Sequence, residues 1–334
     1  MSARGWQQMA EVGSLGALRA MSWLYRVFGR AFSRAVLYPI AAYFFLRHAY
    51  VRNASRDFLE TLARAEGRPR SVGSREIFRH VLEFAIQLFD RMVSWGDSFD
   101  RIRMEKQGSV ALLELARSGR GGILVGAHFG SFDLLRLVAD QSKVTVNVLM
   151  YTQHADRINE FFARLDPRSR VRVLPIDPDS VQTAFAVRRC VEQGEFVGIL
   201  ADRVPPGGRG RAERVPFLGR PAAFPTAPFE LAALLGCPLL FCLCVRTGDA
   251  SYESIAKPLH AGGRVPPGQR AEKSRELLAA FVAELEAACR RAPHQWFNFF
   301  EYWPLAQDGD RAEGPAAPTG DPHGQRDHPE ISRG

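Results

Sequence analysis

The sequence predicts an α/β protein in which helices flank a central sheet, preceded by a membrane-associated helical segment at the amino terminus. Short apolar runs alternate with helical patterns after residue 121, which predicts strands and helices in turn. The composition is that of a globular protein, with 46% hydrophobic and 24% charged residues among 334. A basic region rich in aromatic residues precedes this part and predicts the membrane-associated segment.

The amino-terminal segment, residues 1–56, carries most of the unbalanced charge of this chain. The net charge is +8, and no Asp or Glu occurs between Val12 and Arg56. Seven arginines fall in that stretch, namely Arg19, Arg26, Arg30, Arg34, Arg47, Arg52 and Arg56. Because they are interleaved with a long apolar segment and no nucleic-acid motif is recognised, an anionic membrane surface is favoured over nucleic acid as the partner.

The apolar run Val36–Leu46 indicates how this segment meets the membrane. It is shorter than the ~20 residues that cross a bilayer, and Pro39 interrupts it, so an interfacial or re-entrant segment is expected. Arg26, Arg30 and Arg34 repeat every four residues opposite an apolar face, which favours a helix lying in an anionic leaflet. The alternative is an amphipathic helix that packs on the protein's own core. No small-residue cleavage site follows the run, so a signal peptide is not expected.

Residues 57–305 are expected to form one α/β domain, followed by a disordered tail at 306–334. Helices are predicted over residues 57–117, because apolar side chains recur there at helical spacing. The predicted strands are Gly122–Ala127, Val144–Met150, Val171–Pro175, Phe196–Ala201 and Pro238–Val245. The further predicted helices lie near 132–140, 155–165, 178–193, 225–236 and 270–290. The tail is polar and rich in Gly, Pro and Asp, so it cannot bury enough apolar surface to fold.

The segment Gly121–Asp133 (GGILVGAHFGSFD) holds a histidine and an acid that point to catalysis. His128 follows an apolar strand, and functional groups gather at the carboxyl ends of strands in α/β sheets. Residues five apart on a continuous helix differ by about 140°, so His128 is expected in the strand-exit loop, where Gly130 permits a turn. Asp133 is then expected to reach one imidazole nitrogen and leave the other to remove a proton from a hydroxyl. The alternative is a structural histidine.

The segments around and after this pair resemble the bacterial lipid A (lauroyl/myristoyl) acyltransferases, a lysophospholipid-acyltransferase-like family with an H-x4-D/E motif after a strand. Four further segments are similar to family segments in the same order, namely Ile199–Arg203 (ILADR), Val215–Ala222 (VPFLGRPA), Phe224–Pro228 (FPTAP) and Gln295–Trp303 (QWFNFFEYW). The resemblance covers roughly residues 20–305. Met150–Thr152 and Asp202–Arg203 depart from the family's pattern, and such departures are expected to concern the acceptor.

The resemblance implies a glycerolipid-acyltransferase-like α/β fold with a mixed central sheet. It implies an acyl carrier protein or coenzyme A thioester as the donor and a hydroxyl of a membrane glycolipid, such as a lipid A precursor, as the acceptor. It also implies attachment to the cytoplasmic face of the inner membrane, with no metal and no cofactor. Within the site, the resemblance makes His128 and Asp133 the catalytic pair.

The resemblance makes Asp202 and Arg203 further candidates for the site, with loop capping as the alternative for Asp202. The loop that follows is expected to be flexible and cationic and to bind a substrate phosphate, against the alternative of a solvated basic turn. The candidate substrate-binding residues are Asp202, Arg203, Arg209, Arg211, Arg214 and Arg220. The aromatic residues of 296–303 are expected either in the core or along an acyl-chain groove.

Two other functions stay open on the sequence. A lipid hydrolase would use the pair to activate water or Ser131, but Ser131 does not stand in a G-x-S-x-G nucleophile elbow. A non-catalytic protein that binds anionic lipid would need only the basic amino terminus. The five cysteines are expected to be buried thiols, since no C-x-x-C pair is present, and they are Cys190, Cys237, Cys242, Cys244 and Cys289.

Overall fold

The computed structural model describes residues 15–68, 71–94, 102–108, 110–131, 134, 139, 143–150, 170–175, 181–204 and 211–303. Within these ranges the chain forms seven α-helices. They are α1 (Leu15–Arg47), α2 (Ala49–Ala65), α3 (Ser74–Ser94), α4 (Val110–Arg117), α5 (Val181–Glu192), α6 (Ala227–Leu235) and α7 (Arg270–Arg291). The predicted helices at 178–193, 225–236 and 270–290 are thereby confirmed as α5, α6 and α7. The predicted helix at 155–165 and the tail at 306–334 lie outside the described residues, as does nearly all of the predicted helix at 132–140.

The centre of the protein is a seven-stranded mixed sheet with the order β1-β9-β8-β2-β5-β3-β4. Its strands are β1 (Arg103–Gly108), β2 (Gly122–Gly126), β3 (Val146–Met150), β4 (Val171–Pro175), β5 (Phe196–Leu200), β8 (Leu239–Gly248) and β9 (Ser251–His260). Strands β8, β2, β5, β3 and β4 run parallel, while β9 is antiparallel to β8 and parallel to β1. All five predicted strands are present, and the expectation of an α/β fold with a mixed sheet is confirmed.

Two regions differ from the prediction. Arg103–Gly108 was predicted to be helical but forms the edge strand β1, because pairing with β9 outweighs the weak local preference of a polar stretch. The second difference lies in the basic loop after residue 203, where β6 (Ala212–Phe217) and β7 (Arg220–Pro225) form an antiparallel hairpin. Alternation of exposed and buried residues along β6 places Phe217 in the core, so this part of the loop is ordered.

Helix α1 is bent at Gly29, whose φ of 76° is not helical, and it contains Pro39. One side packs on α3 through a cluster that includes Tyr25, Leu37 and Ala41. The rest of its surface exposes large apolar side chains, hereafter the apolar surface of α1. Its members are Trp23, Val27, Phe28, Phe32, Tyr38, Ile40, Tyr43 and Leu46. None of the helices in the described ranges has the length and apolar character that crossing a bilayer requires.

The arginines of α1 do not have the orientation that the sequence suggested. Arg30 pairs with the buried Asp90 of α3 at 2.6 Å and with Asp249, in the turn between β8 and β9, at 2.8 Å. Arg34 pairs with Asp249 at 2.7 Å. Two of the three arginines that were expected to face lipid headgroups therefore bind carboxylates of the protein. The third, Arg26, is exposed together with the apolar side chains.

Candidate active site

The candidate site lies where two neighbouring strands end. Strands β2 and β5 pair in parallel, and the last paired residues are Gly126 and Leu200. His128 and Asp202 each lie two residues beyond that pair, so both emerge at the carboxyl edge of the sheet. The bond from the Ala201 N–H to the Gly126 carbonyl, 2.9 Å long, continues the pairing toward them. Parallel register is therefore what brings a histidine and a carboxylate together here.

His128 and Asp202 make two hydrogen bonds with each other. The Nδ1 of His128 lies 2.8 Å from Oδ1 of Asp202, and the backbone N–H of His128 donates to Oδ2 at 3.0 Å. The indole N–H of Trp296 donates to the same Oδ2 at 3.0 Å. Asp202 is fully buried, whereas the side chain of His128 is 34% exposed. The buried carboxylate of Asp202 therefore accepts three hydrogen bonds, and one of them comes from the side chain of a partly exposed histidine.

The surroundings keep Asp202 ionised. Burial raises the pKa of its carboxyl, but the charge of His128 and the hydrogen bonds from it outweigh burial, and Arg203 adds to the effect. The pKa falls from the ordinary 3.8 to about 2. An ionised Asp202 can only accept hydrogen bonds, so the Nδ1 of His128 carries the proton in this pair. The Nε2 of His128 is then the nitrogen that can accept a proton.

The segment from His128 to Ser131 is held in place by backbone hydrogen bonds on both sides. Phe297 N–H donates to the His128 carbonyl at 2.8 Å, and Gly130 N–H donates to the Gln295 carbonyl at 2.8 Å. Gly130 has a φ of 62°, and a Cβ there would lie 2.0 Å from the carbonyl oxygen of Cys244. The turn that was expected at Gly130 is confirmed, and only glycine fits it.

Of the predicted catalytic pair, His128 lies in the strand-exit loop as expected, while Asp133 lies outside the described residues. The carboxylate found on Nδ1 belongs to Asp202, which the sequence suggested only as a separate site candidate. The role of Asp133 in the site stays a prediction.

Arg203 is buried directly beside the pair. Its guanidinium donates to the Phe297 carbonyl at 2.6 Å and lies over the ring of Phe300, 5.1 Å from its centroid. Burial lowers the pKa of Arg203, an effect that the neighbouring Asp202 opposes. In this structure Arg203 therefore ties the carboxyl end of β5 to the segment after Trp296.

The other predicted substrate-binding arginines do not converge on His128 in the described structure. Arg211 is 85% exposed and lies 3.9 Å from Glu230, and Arg214 is exposed on β6. Arg220 donates to Asp57 at 2.7 Å and to Thr61 at 2.9 Å, which joins the hairpin to α2. Arg209 lies outside the described residues. The prediction that this basic segment binds a phosphate stays a prediction.

Three of the terminal aromatic residues, Trp296, Phe297 and Trp303, are buried in the core, and two of the cluster also contact Asp202. The other three, Phe299, Phe300 and Tyr302, are half-buried. Trp296 is fully buried and packs edge-on against Phe58 and Phe217. The hydroxyl of Tyr302 donates to the backbone carbonyl of Asp202 at 3.0 Å. The sequence predicted only a place in the core or along an acyl-chain groove for these residues. The signal for a further role is chemical, because a buried indole N–H or phenol hydroxyl usually finds an acceptor.

The five cysteines are buried free thiols, in agreement with the expectation. No group of three or more potential metal ligands occurs among the residues that the structure describes.

Two comparisons with known proteins bear on this site. A family model described as bacterial lipid A biosynthesis acyltransferase matches residues 14–304. No match was found among curated protein sequences. The matched range contains α1, the whole central sheet, and both His128 and Asp202.

Proposed function

The chain belongs to the bacterial lipid A biosynthesis acyltransferase family, and on that premise we propose that it transfers a fatty acyl chain from a thioester to a glycolipid hydroxyl, with His128 as the general base. The observation that carries this proposal is the contact between His128 and the ionised, buried Asp202. A carboxylate on Nδ1 fixes the tautomer in which Nε2 accepts a proton. It also stabilises the imidazolium that forms when the proton is taken.

The proposed reaction proceeds by direct transfer. The acceptor oxygen attacks the thioester carbonyl carbon while Nε2 of His128 removes the hydroxyl proton. The carbon–sulfur bond then breaks as the ester forms, and the imidazolium returns its proton to the departing thiolate. General-base assistance of this kind is worth roughly 10²- to 10⁴-fold in rate.

We propose a membrane glycolipid, such as a lipid A precursor, as the acceptor, delivered at the cytoplasmic face of the inner membrane. The arrangement of α1 supports this. Strand β8 is parallel to β2, so the turn after β8 that contains Asp249 lies at the same sheet edge as His128. Arg30 and Arg34 bind Asp249, which holds α1 against that edge. Insertion of the apolar surface of α1 into the bilayer interface would bring the site close to its lipid substrate.

We propose an acyl carrier protein or coenzyme A thioester as the donor. Both carry a phosphopantetheine phosphate, which guanidinium groups bind well. Arg211 directly precedes β6 and Arg214 lies on it, and both side chains are exposed. We propose that they contribute to this contact. Arg209 is predicted to act with them.

The experiment that tests the proposed function is an acyl-transfer assay on the purified protein in detergent. We expect His128→Ala to abolish transfer and to leave the unfolding temperature close to that of the wild type, because His128 is partly exposed. Asp133→Asn is expected to reduce turnover strongly, because it removes a charge that supports the imidazolium. Release of free fatty acid without transfer would support a hydrolase, and lipid binding without turnover would support a binding protein. A folded His128→Ala variant with wild-type turnover would overturn the proposal.

A further inference from the structure

Trp296 is held rigidly from several sides. Its backbone carbonyl accepts a hydrogen bond from Nε2 of the buried His80 at 2.9 Å, and its backbone bridges to Phe129, next to His128. Its ring packs edge-on against Phe58 at 4.8 Å and against Tyr302 at 4.9 Å. The direction of the indole N–H is therefore set by the core and not by Asp202.

That N–H donates to Oδ2 of Asp202 and leaves Oδ1 for Nδ1 of His128. The two oxygens of a carboxylate are fixed relative to each other, so a donor on one of them sets the direction of the other. Without the indole, Oδ2 would keep only the backbone N–H of His128, and that donor belongs to the loop which the carboxylate has to hold.

We propose that Trp296 is a positioning residue, whose indole N–H orients Asp202 so that the carboxylate stays aligned with the imidazole of His128. This inference rests on the proposed function of the His128–Asp202 pair. It gives a fully buried aromatic residue a role in the reaction that is separate from its role in packing.

Trp303 offers a matched control within the same aromatic cluster. It is nearly as buried as Trp296, and the two rings lie 6.2 Å apart. Its indole nitrogen has no hydrogen-bond partner within the part of the chain that the structure describes. Replacing either tryptophan by Phe removes a similar apolar volume, but only Trp296→Phe removes a hydrogen bond to a charged group.

Among the described residues, the charged and titratable groups that face Asp202 are His128, Arg203, Tyr302 and the buried thiol of Cys289 on α7. Without the indole donor the carboxylate can turn away from Nδ1 of His128. A misaligned carboxylate stabilises the protonated imidazole less, so the inactive protonated form of the pair persists only to lower pH.

The test compares kcat, KM and the pH–rate profile of the wild type, Trp296→Phe and Trp303→Phe. For Trp296→Phe we expect kcat about tenfold lower, the scale of one hydrogen bond to a charged group, with KM nearly unchanged. The acidic limb of its pH–rate profile should move to lower pH. Trp303→Phe should lose about as much thermal stability as Trp296→Phe, but its kcat and the acidic limb of its pH–rate profile should match those of the wild type.

If Trp296→Phe does not fold, the benzothiophene analogue of tryptophan at position 296 keeps the ring shape and lacks the N–H. Identical kcat and pH profiles for the variants at 296 and 303 would overturn the inference. His128→Ala keeps the two questions apart. Retained turnover in that variant defeats the proposed function itself, whereas lost turnover combined with identical tryptophan variants defeats only the role of Trp296.

Discussion

Asp202→Asn is the change that tests the candidate site most directly. The carboxylate accepts from the His128 N–H and the Trp296 N–H at Oδ2, and from Nδ1 at Oδ1. An amide has one oxygen, and that oxygen satisfies two donors if it replaces Oδ2. The amide NH₂ then faces Nδ1 and donates to it, so the imidazole must carry its proton on Nε2. The nitrogen that is proposed to accept the substrate proton is thereby blocked.

We therefore expect Asp202→Asn to lower kcat by about 10³- to 10⁴-fold, the scale of the same change behind the histidine of a Ser–His–Asp triad. KM should change little, because the fully buried Asp202 does not reach the substrate. The assay is steady-state acyl transfer with each substrate varied. Glu284→Gln is a suitable control, since it makes the same carboxylate-to-amide change at a residue of α7 that pairs with Lys257. Wild-type turnover in folded Asp202→Asn would refute the reasoning.

The same substitution also has a consequence for acid stability. The pKa of Asp202 is lowered in the folded protein, so its ionised form stabilises the fold above the ordinary value of 3.8, and that contribution is lost as the pH falls toward about 2. The difference corresponds to about 2 kcal/mol in the free energy of unfolding. Between pH 5 and pH 2, denaturant titrations should show a smaller loss of stability for Asp202→Asn than for the wild type. Equal losses would contradict the lowered pKa.

Two further predictions concern the acyl donor and binding to the membrane. We expect a variant with Ala at Arg209, Arg211 and Arg214 to have a higher KM for an acyl carrier protein donor and a smaller change in kcat. Its KM should also depend less on salt than that of the wild type, because salt screens the charges that the variant lacks. An unchanged KM and salt slope with every donor would show that this segment is a solvated basic turn. The second variant carries Ser at three members of the apolar surface of α1, Trp23, Phe28 and Phe32. It should move from the membrane fraction to the soluble fraction, whereas high-salt washing should leave most of the wild type bound to the membrane. A wild-type protein that fractionates as fully soluble would contradict membrane binding.

Much of the fold follows from local patterns. The strands β2, β3, β5 and β8 appear in the sequence as short apolar runs, since a strand inside a covered sheet needs apolar residues along most of its length. The edge strand β4 is apolar enough to be recognised, although Arg172 on it is exposed. Helices α5, α6 and α7 appear as helical patterns between or after them. The edge strand β1 and the β6–β7 hairpin do not follow in this way. Their residues are polar or mixed, and pairing partners elsewhere in the chain determine their conformation.

The orientation of α1 shows the same limit at the level of side chains. A spacing of four residues predicts that Arg26, Arg30 and Arg34 share a helix face, but it does not predict which way that face points. Asp90 and Asp249 lie far from α1 in the chain, and their positions turn Arg30 and Arg34 toward the protein. Asp90 is fully buried, and a buried carboxylate needs a cation or several donors, which explains why Arg30 points inward. Asp249 is 58% exposed and pairs with Arg30 and Arg34 from the surface.

The sequence by itself determined that a histidine follows a buried strand at a glycine turn, and its ordered motifs pointed to the acyltransferase family that the chain belongs to. Only the tertiary structure decided which acid supports that histidine. Strands β3 and β4 come between β2 and β5 in the chain, yet β5 is the strand that pairs beside β2 in the sheet. Strand order depends on the packing of the whole sheet, and it places Asp202 against Nδ1 of His128 with Trp296 behind it. Periodicity and spacing are local properties, so they cannot identify a partner that burial and parallel register bring from a distant strand.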